Sequence, residues 1–156
     1  MCKKIVSSDE FISVGSTCDD NLKKRTYGGS INLKNKIRVF KNKIVYPNKN
    51  FQFISRFNGN IVLIPHKAFI KIGKFDKSLI HYFGDIDYSI RAFKKNIPIL
   101  LAPNFIGICN RDKKITNIDN LFLNKEIVKT GWIFCKKHGK GFWILHFISL
   151  ILSYLK

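Results

Sequence analysis

Apolar residues fall along the chain in short blocks, and the spacing within the blocks switches repeatedly between two periods. Alternation or a short unbroken run predicts strand, whereas recurrence at i, i+4 and i+7 predicts helix. The run Phe11-Ile12-Ser13-Val14 ends at Gly15 and leads into polar residues around Asp19 and Asp20, which predicts a strand feeding a turn. Asp19 and Asp20 read as a solvated turn, since nothing around them supports metal ligation. Tyr27-Gly28-Gly29 marks a place where the backbone needs positive φ or a close approach to another group. Residues 36–46 alternate apolar and basic positions on both sides of Lys41-Asn42, the pattern of a β-hairpin with one basic face.

Residues 60–64 form a continuous apolar run stopped by Pro65, which predicts a strand. Residues 68–72 predict a short helix closed by Gly73, and Lys74-Phe75-Asp76 its exit turn. A second helix is predicted to open at Asp85, as N-cap, and to run to about Lys95. Ile86, Ile90 and Phe93 supply its apolar stripe, Asp87 and Arg91 form an i, i+4 pair on another side, and Asn96 closes it. Residues 98–102 and 105–109 predict two further short strands, residues 110–120 a polar linker, and residues from 121 onward helix. The last stretch, residues 141–156, holds an apolar run of about 14 residues, too short to cross a bilayer about 30 Å thick. Such a helix packs on the domain or lies in a membrane interface, with Lys136, Lys137 and Lys140 meeting anionic head groups.

Composition narrows this picture. With 156 residues, 46% of them hydrophobic, the chain can bury one substantial core, and wholesale disorder is excluded. The formal charge of +18 favours anionic partners, although the lysines are dispersed and not gathered into one patch. The basic hairpin side (Lys36, Arg38 and Lys43, with Tyr46 nearby) suits either a phosphate backbone or water. Cys2, Cys18, Cys109 and Cys135 lie far apart without a C-x-x-C pair, so neither a zinc site nor a disulfide framework is expected. The first residues show no apolar leader, and the expected location is cytoplasmic.

The candidate chemistry sits in residues 58–96. Three aspartates, Asp76, Asp85 and Asp87, fall there, the last two where a loop becomes the second helix. A carboxylate so placed can act on a bound substrate or can simply cap the helix. Asp87 with Arg91 is either a surface ion pair or a device that orients this corner. Asp76 is a turn former or an acceptor ligand, Asn58-Gly59 a tight turn or a substrate-side loop, and His81 a loop histidine or an acceptor contact.

Several words in this region occur together in order: Asn58-Gly59-Asn60, the strand around Ile61-Val62-Leu63, Ile72-Gly73-Lys74-Phe75-Asp76, and above all His81-Tyr82-Phe83-Gly84-Asp85-Ile86-Asp87-Tyr88. With Tyr27-Gly28-Gly29 upstream and Lys136-Lys137-His138-Gly139 downstream, they resemble the second half of a bacterial family 2 glycosyltransferase with the GT-A fold. The resemblance implies a partial GT-A-like α/β mixed sheet (nucleotide-diphospho-sugar transferase type) with flanking helices and a C-terminal amphipathic helix. Residues 1–120 would be the acceptor-side catalytic half, and residues 121–156 are expected as a helical segment that packs on the domain or associates with a membrane.

In function it implies inverting, sugar-nucleotide-dependent glycosyl transfer in cell-surface polysaccharide biosynthesis. Asp85 would be the general base, Asp87 and Arg91 would complete the catalytic corner, and Asn58, Gly59, Asp76 and His81 would contact substrate. The partners implied are a nucleotide-sugar donor, a glycan or lipid-linked acceptor, a separate nucleotide-binding subunit, and peripheral contact with the inner membrane face. The family's Asp-x-Asp motif, which holds the nucleotide and a divalent metal (Mg or Mn), belongs to the preceding half and is not matched here. Asp85-Ile86-Asp87 has the same letters but opens a helix, so no metal ligand is assigned. The chain therefore reads as a truncated or split enzyme of this type. The competing reading is a non-catalytic basic module that binds nucleic acid or docks on a membrane surface; dispersed lysines argue against nucleic acid.

Overall fold

The computed structural model describes residues 11–22, 24–32, 42–79, 82–110 and 125–154. The architecture is mixed α/β, a curled mixed sheet backed by helices. Seven strands are described: β1 (Ile12–Cys18), β2 (Arg25–Asn32), β3 (Asn42–Ile44), β4 (Gln52–Phe53), β5 (Arg56–Asn58), β6 (Val62–Leu63) and β7 (Ile99–Ile108). Four α-helices join them among the described residues: α1 (His66–Ile72), α2 (Gly84–Lys94), α3 (Lys125–His138) and α4 (Trp143–Tyr154).

The central path runs β3-β2-β1-β7-β4, with β5 on β2 and β6 on β1. Among the described strands only the β1–β7 pair is parallel. The sheet curls where β2 leaves β1. Tyr27 still faces Thr17, but Gly28 already faces Asn58 of β5. Gly28 has φ +144°, and a Cβ there would stand 2.6 Å from the Ser16 Oγ, so both readings of the Tyr27-Gly28-Gly29 word apply at this one residue.

Most predicted elements appear with shifted edges, and the shifts have causes. The first strand runs on to Cys18, and Asp19 then turns the chain by accepting the Lys24 amide at 3.0 Å. β3 pairs with residues 30–32 of β2, a partner the alternation did not indicate. Residues 33–41, including Lys36 and Arg38, lie outside the described residues; Lys43 is exposed. The predicted strand at 60–64 is shortened to β6, and β5 lies before it, across the exposed Asn58-Gly59-Asn60 turn. α1 starts two residues before the predicted helix, with Pro65 as its N-cap, and ends at Gly73 as expected. The two predicted strands after Pro98 are one strand, β7, with a register shift against β1 between Val14 and Ser16 and a left-handed Asn104.

The core has two compartments. Ile12, Val14, Phe57, Ile99 and Leu101 of the sheet meet Ala68 and Ile72 of α1 and Tyr88 and Ala92 of α2. Leu79, Phe134 and Cys135 form the second, with Phe83, Ile86, Ile90, Phe147 and Leu150 around them. α2 is therefore the shared wall. Its sheet face is Tyr88, Ser89 and Ala92, and Ile86 and Ile90 of its predicted stripe face α3, whereas Phe93 is 64% exposed. Each large side chain buried in these compartments stabilises the fold by about 1.5–3 kcal/mol.

Candidate functional site

The mouth of α2 is built on a close approach and a strained residue. A Cβ on Gly84 would lie 2.8 Å from the Leu79 carbonyl oxygen, so only glycine lets the chain pass. Phe83 before it takes φ +66°, a left-handed conformation that costs a bulky residue roughly 1–2 kcal/mol. Its ring stacks on Phe134 of α3 at 5.0 Å between centroids and 18° between planes, which holds it there. Phe83, not Asp85, is the N-cap, and no side chain caps the helix. The predicted N-cap role of Asp85 is thus corrected: it lies inside the first turn.

That placement frees Asp85 for another arrangement. Its Oδ2 accepts the Gly59 amide at 3.0 Å and its Oδ1 accepts the Ile86 amide at 2.8 Å. The structure therefore brings together two parts of the proposed site, the Asn58-Gly59 turn and the acid corner. Ser89 locks them: the Phe57 amide donates to its Oγ at 3.1 Å, and its hydroxyl donates to the Asp85 carbonyl at 2.7 Å. Asp85 is half-buried beneath an exposed turn. Burial pushes its carboxyl pKa up, against the smaller opposing effect of the amides of Gly59 and Ile86.

Two residues on, Asp87 has the opposite surroundings. It is fully buried, yet each oxygen has a cationic partner: Arg91 Nε at 2.8 Å on Oδ2 and Lys137 Nζ at 2.9 Å on Oδ1, where His138 Nε2 also lies within hydrogen-bond reach at 2.8 Å. Burial alone would raise its pKa; the hydrogen bonds from His138, Lys137 and Arg91 outweigh that and hold it far below the usual carboxylate range. Arg91 also donates to the Ile72 carbonyl at 3.0 Å and lies over the Tyr88 ring, 4.8 Å from its centroid. Asp76 shapes its turn through Ser78 and reaches Lys137 at 2.6 Å, so it belongs to this ionic cluster and not to the Asp85 side. Its carboxyl is held down at about 2, first by Lys137 and then by Ser78. His81 lies outside the described residues.

Lys137 and His138 are the residues whose place in this cluster sequence reasoning missed. The Lys136-Lys137-His138-Gly139 word marked them, but nothing in the spacing said that it folds back 51 residues onto Asp87. Ser89 was also missed; its one signal was the i+4 spacing from Asp85.

Asp85 and Asp87 do not fit a divalent ion as a pair. Both Asp87 oxygens are occupied by cationic groups, and the pair opens a helix where the family motif ends a strand. Among the described residues no group of three or more His, Cys, Asp or Glu could hold a metal ion. A cavity of about 400 Å³ lies at the far end of α2, between Ile31, Phe53, Ile54, Phe93 and Ile97. That is about 16 Å along the helix from Asp85, which lies beneath the exposed Asn58-Gly59 turn and is not among the residues lining the cavity. No protein-family model matches the chain, and no curated protein or solved structure matches it either.

Proposed function

We propose that this chain is the acceptor-side half of an inverting glycosyltransferase and that Asp85 is its general base. One observation carries the reading: two carboxylates two residues apart have been driven to opposite protonation behaviour. Asp87 is fixed as an anion inside a cation cluster, so it orients and does not exchange protons. Asp85 is raised, half-open and held by two backbone amides, which is what a carboxylate needs to take a proton from a hydroxyl near neutral pH.

In the proposed step the acceptor hydroxyl lies against the Asn58-Gly59 turn and loses its proton to Asp85 as its oxygen bonds to the anomeric carbon. The bond to the nucleoside diphosphate breaks on the opposite side, inverting the centre. The sugar nucleotide and its divalent metal (Mg or Mn) are held by a nucleotide-binding half. An open face suits a glycan or lipid-linked acceptor, which extends beyond a single sugar ring. The words resembling family 2 glycosyltransferases support this assignment, and cell-surface polysaccharide assembly is the setting they suggest.

The test is transfer by this chain reconstituted with a nucleotide-binding half. Asp85→Asn should cut turnover by about 10²–10⁴-fold while acceptor binding and folding persist. Near-normal turnover in that variant would remove the assignment.

A further inference from the structure

α4 carries no charged residue from Trp143 to Tyr154, and its two sides have different fates. Trp143 and Phe147 close against Trp132 of α3, at 4.5 and 5.1 Å between ring centroids, and His146 is buried. On the opposite side Ile144, Leu145, Ile148 and Leu152 fall within an arc of about 100° at helical spacing. They are 48–62% exposed. A helix that keeps one apolar face on the domain and offers another to the outside is built to meet a second apolar phase.

The neighbouring surface indicates which phase. On α3, Lys125, Lys129, Trp132 and Lys136 share one exposed stripe, and Trp132 also touches α4. Lysines flanking a half-exposed tryptophan beside an apolar helix match the layers of a bilayer surface: phosphates outside, then the amphipathic interface, then acyl chains. The whole chain carries a formal +18, which attracts anionic lipid and repels a second copy of itself. α4 is about 18 Å long, and no helix among the described residues is long and apolar enough to cross a membrane.

We infer that the α3–α4 hairpin docks on an anionic lipid surface, with the outer face of α4 lying in the interface plane and the Lys129–Lys136 stripe on the headgroups. This inference does not depend on the proposed glycosyl transfer. Flotation of the full chain with phosphatidylcholine vesicles, with and without phosphatidylglycerol, tests it. Binding should require the anionic lipid, weaken with salt and shift tryptophan emission to the blue. The double variant Leu145→Gln/Ile148→Gln should abolish flotation. Lys125→Gln/Lys129→Gln/Lys136→Gln should weaken it by about a hundredfold. All five positions are exposed, and circular dichroism checks that the fold persists. Absence of flotation with anionic vesicles, or flotation that neither variant changes, would overturn the inference. So would a dimer in sedimentation that Leu145→Gln/Ile148→Gln dissolves, since a second copy would then own the face.

Discussion

Asp85 and Asp87 share one helical turn, yet they belong to different regions of the molecule. Asp85 looks toward the β5–β6 turn, where backbone amides are its partners and solvent reaches the loop above it. Asp87 looks toward α3, where Lys137 and His138 meet it, while Arg91 of its own helix takes its other oxygen and no solvent reaches it. Neutral dipoles leave the buried carboxyl free to hold a proton; full cationic charges forbid it. The same residue type thus becomes a candidate base on one side of a helix and a structural anion on the other. Which role applies is set by what packs against each side.

Four expectations would break or sharpen this contrast. The largest concerns function: Asp85→Asn loses turnover by orders of magnitude, as above, but should leave urea stability within about 0.5 kcal/mol of the parent or slightly higher. A folded-state pKa raised above the unfolded value means that ionising Asp85 weakens the fold as pH rises, and the amide removes that penalty. Asp87→Asn should do the reverse, costing about 3–5 kcal/mol in urea denaturation because Arg91, Lys137 and His138 would face one another without their anion. Equal stabilities for the two variants would erase the contrast.

Ser89→Ala should cost about 1–3 kcal/mol, since the buried Phe57 amide loses its acceptor, and should release the Asn58-Gly59 turn from α2. Faster amide exchange at Phe57 and Gly59 in the variant is the accompanying readout. The smallest effect is on pH dependence. Asp76 and Asp87 have lowered pKa values, so their contribution is present above the ordinary value of 3.8 and is lost as pH falls through about 2 for Asp76 and lower still for Asp87. Lys137 is raised: burial lowers it, but Asp76 and Asp87 outweigh this. Its share is therefore present below 10.5 and lost as pH climbs past that value. Acid titration of Asp87→Asn by circular dichroism should show a shallower loss than the parent between pH 4 and 2.

Much of this was readable from residue order, and what was not has physical reasons. Period and punctuation placed β1, α1, α2 and β7, because Pro65, Gly73 and the i, i+4, i+7 stripe act locally. Of the hairpin expected at residues 36–46 only β3 falls among the described residues; its pairing with β2 was not foreseen, because alternation reports a strand's faces but not its partners. The N-cap was misread because Asp at a helix start has a strong local preference, and the packing of Phe83 on Phe134 overrides it. The Asp85–Gly59 hydrogen bond was not foreseen, since the two residues stood only as separate site candidates through the resemblance. The cation cluster needed tertiary structure, because Lys137 and His138 look like any basic helix end until α3 folds back.

The stacking of Phe83 on Phe134 has one more consequence. A left-handed phenylalanine does not keep that shape unaided, and the ring that supports it, Phe134, comes from α3, far along the chain. Trimming the chain before α3 would let this knuckle relax, and the carboxylate two positions later would swing away from the Gly59 amide. The tail of the molecule is therefore a brace for the corner as well as a surface of its own.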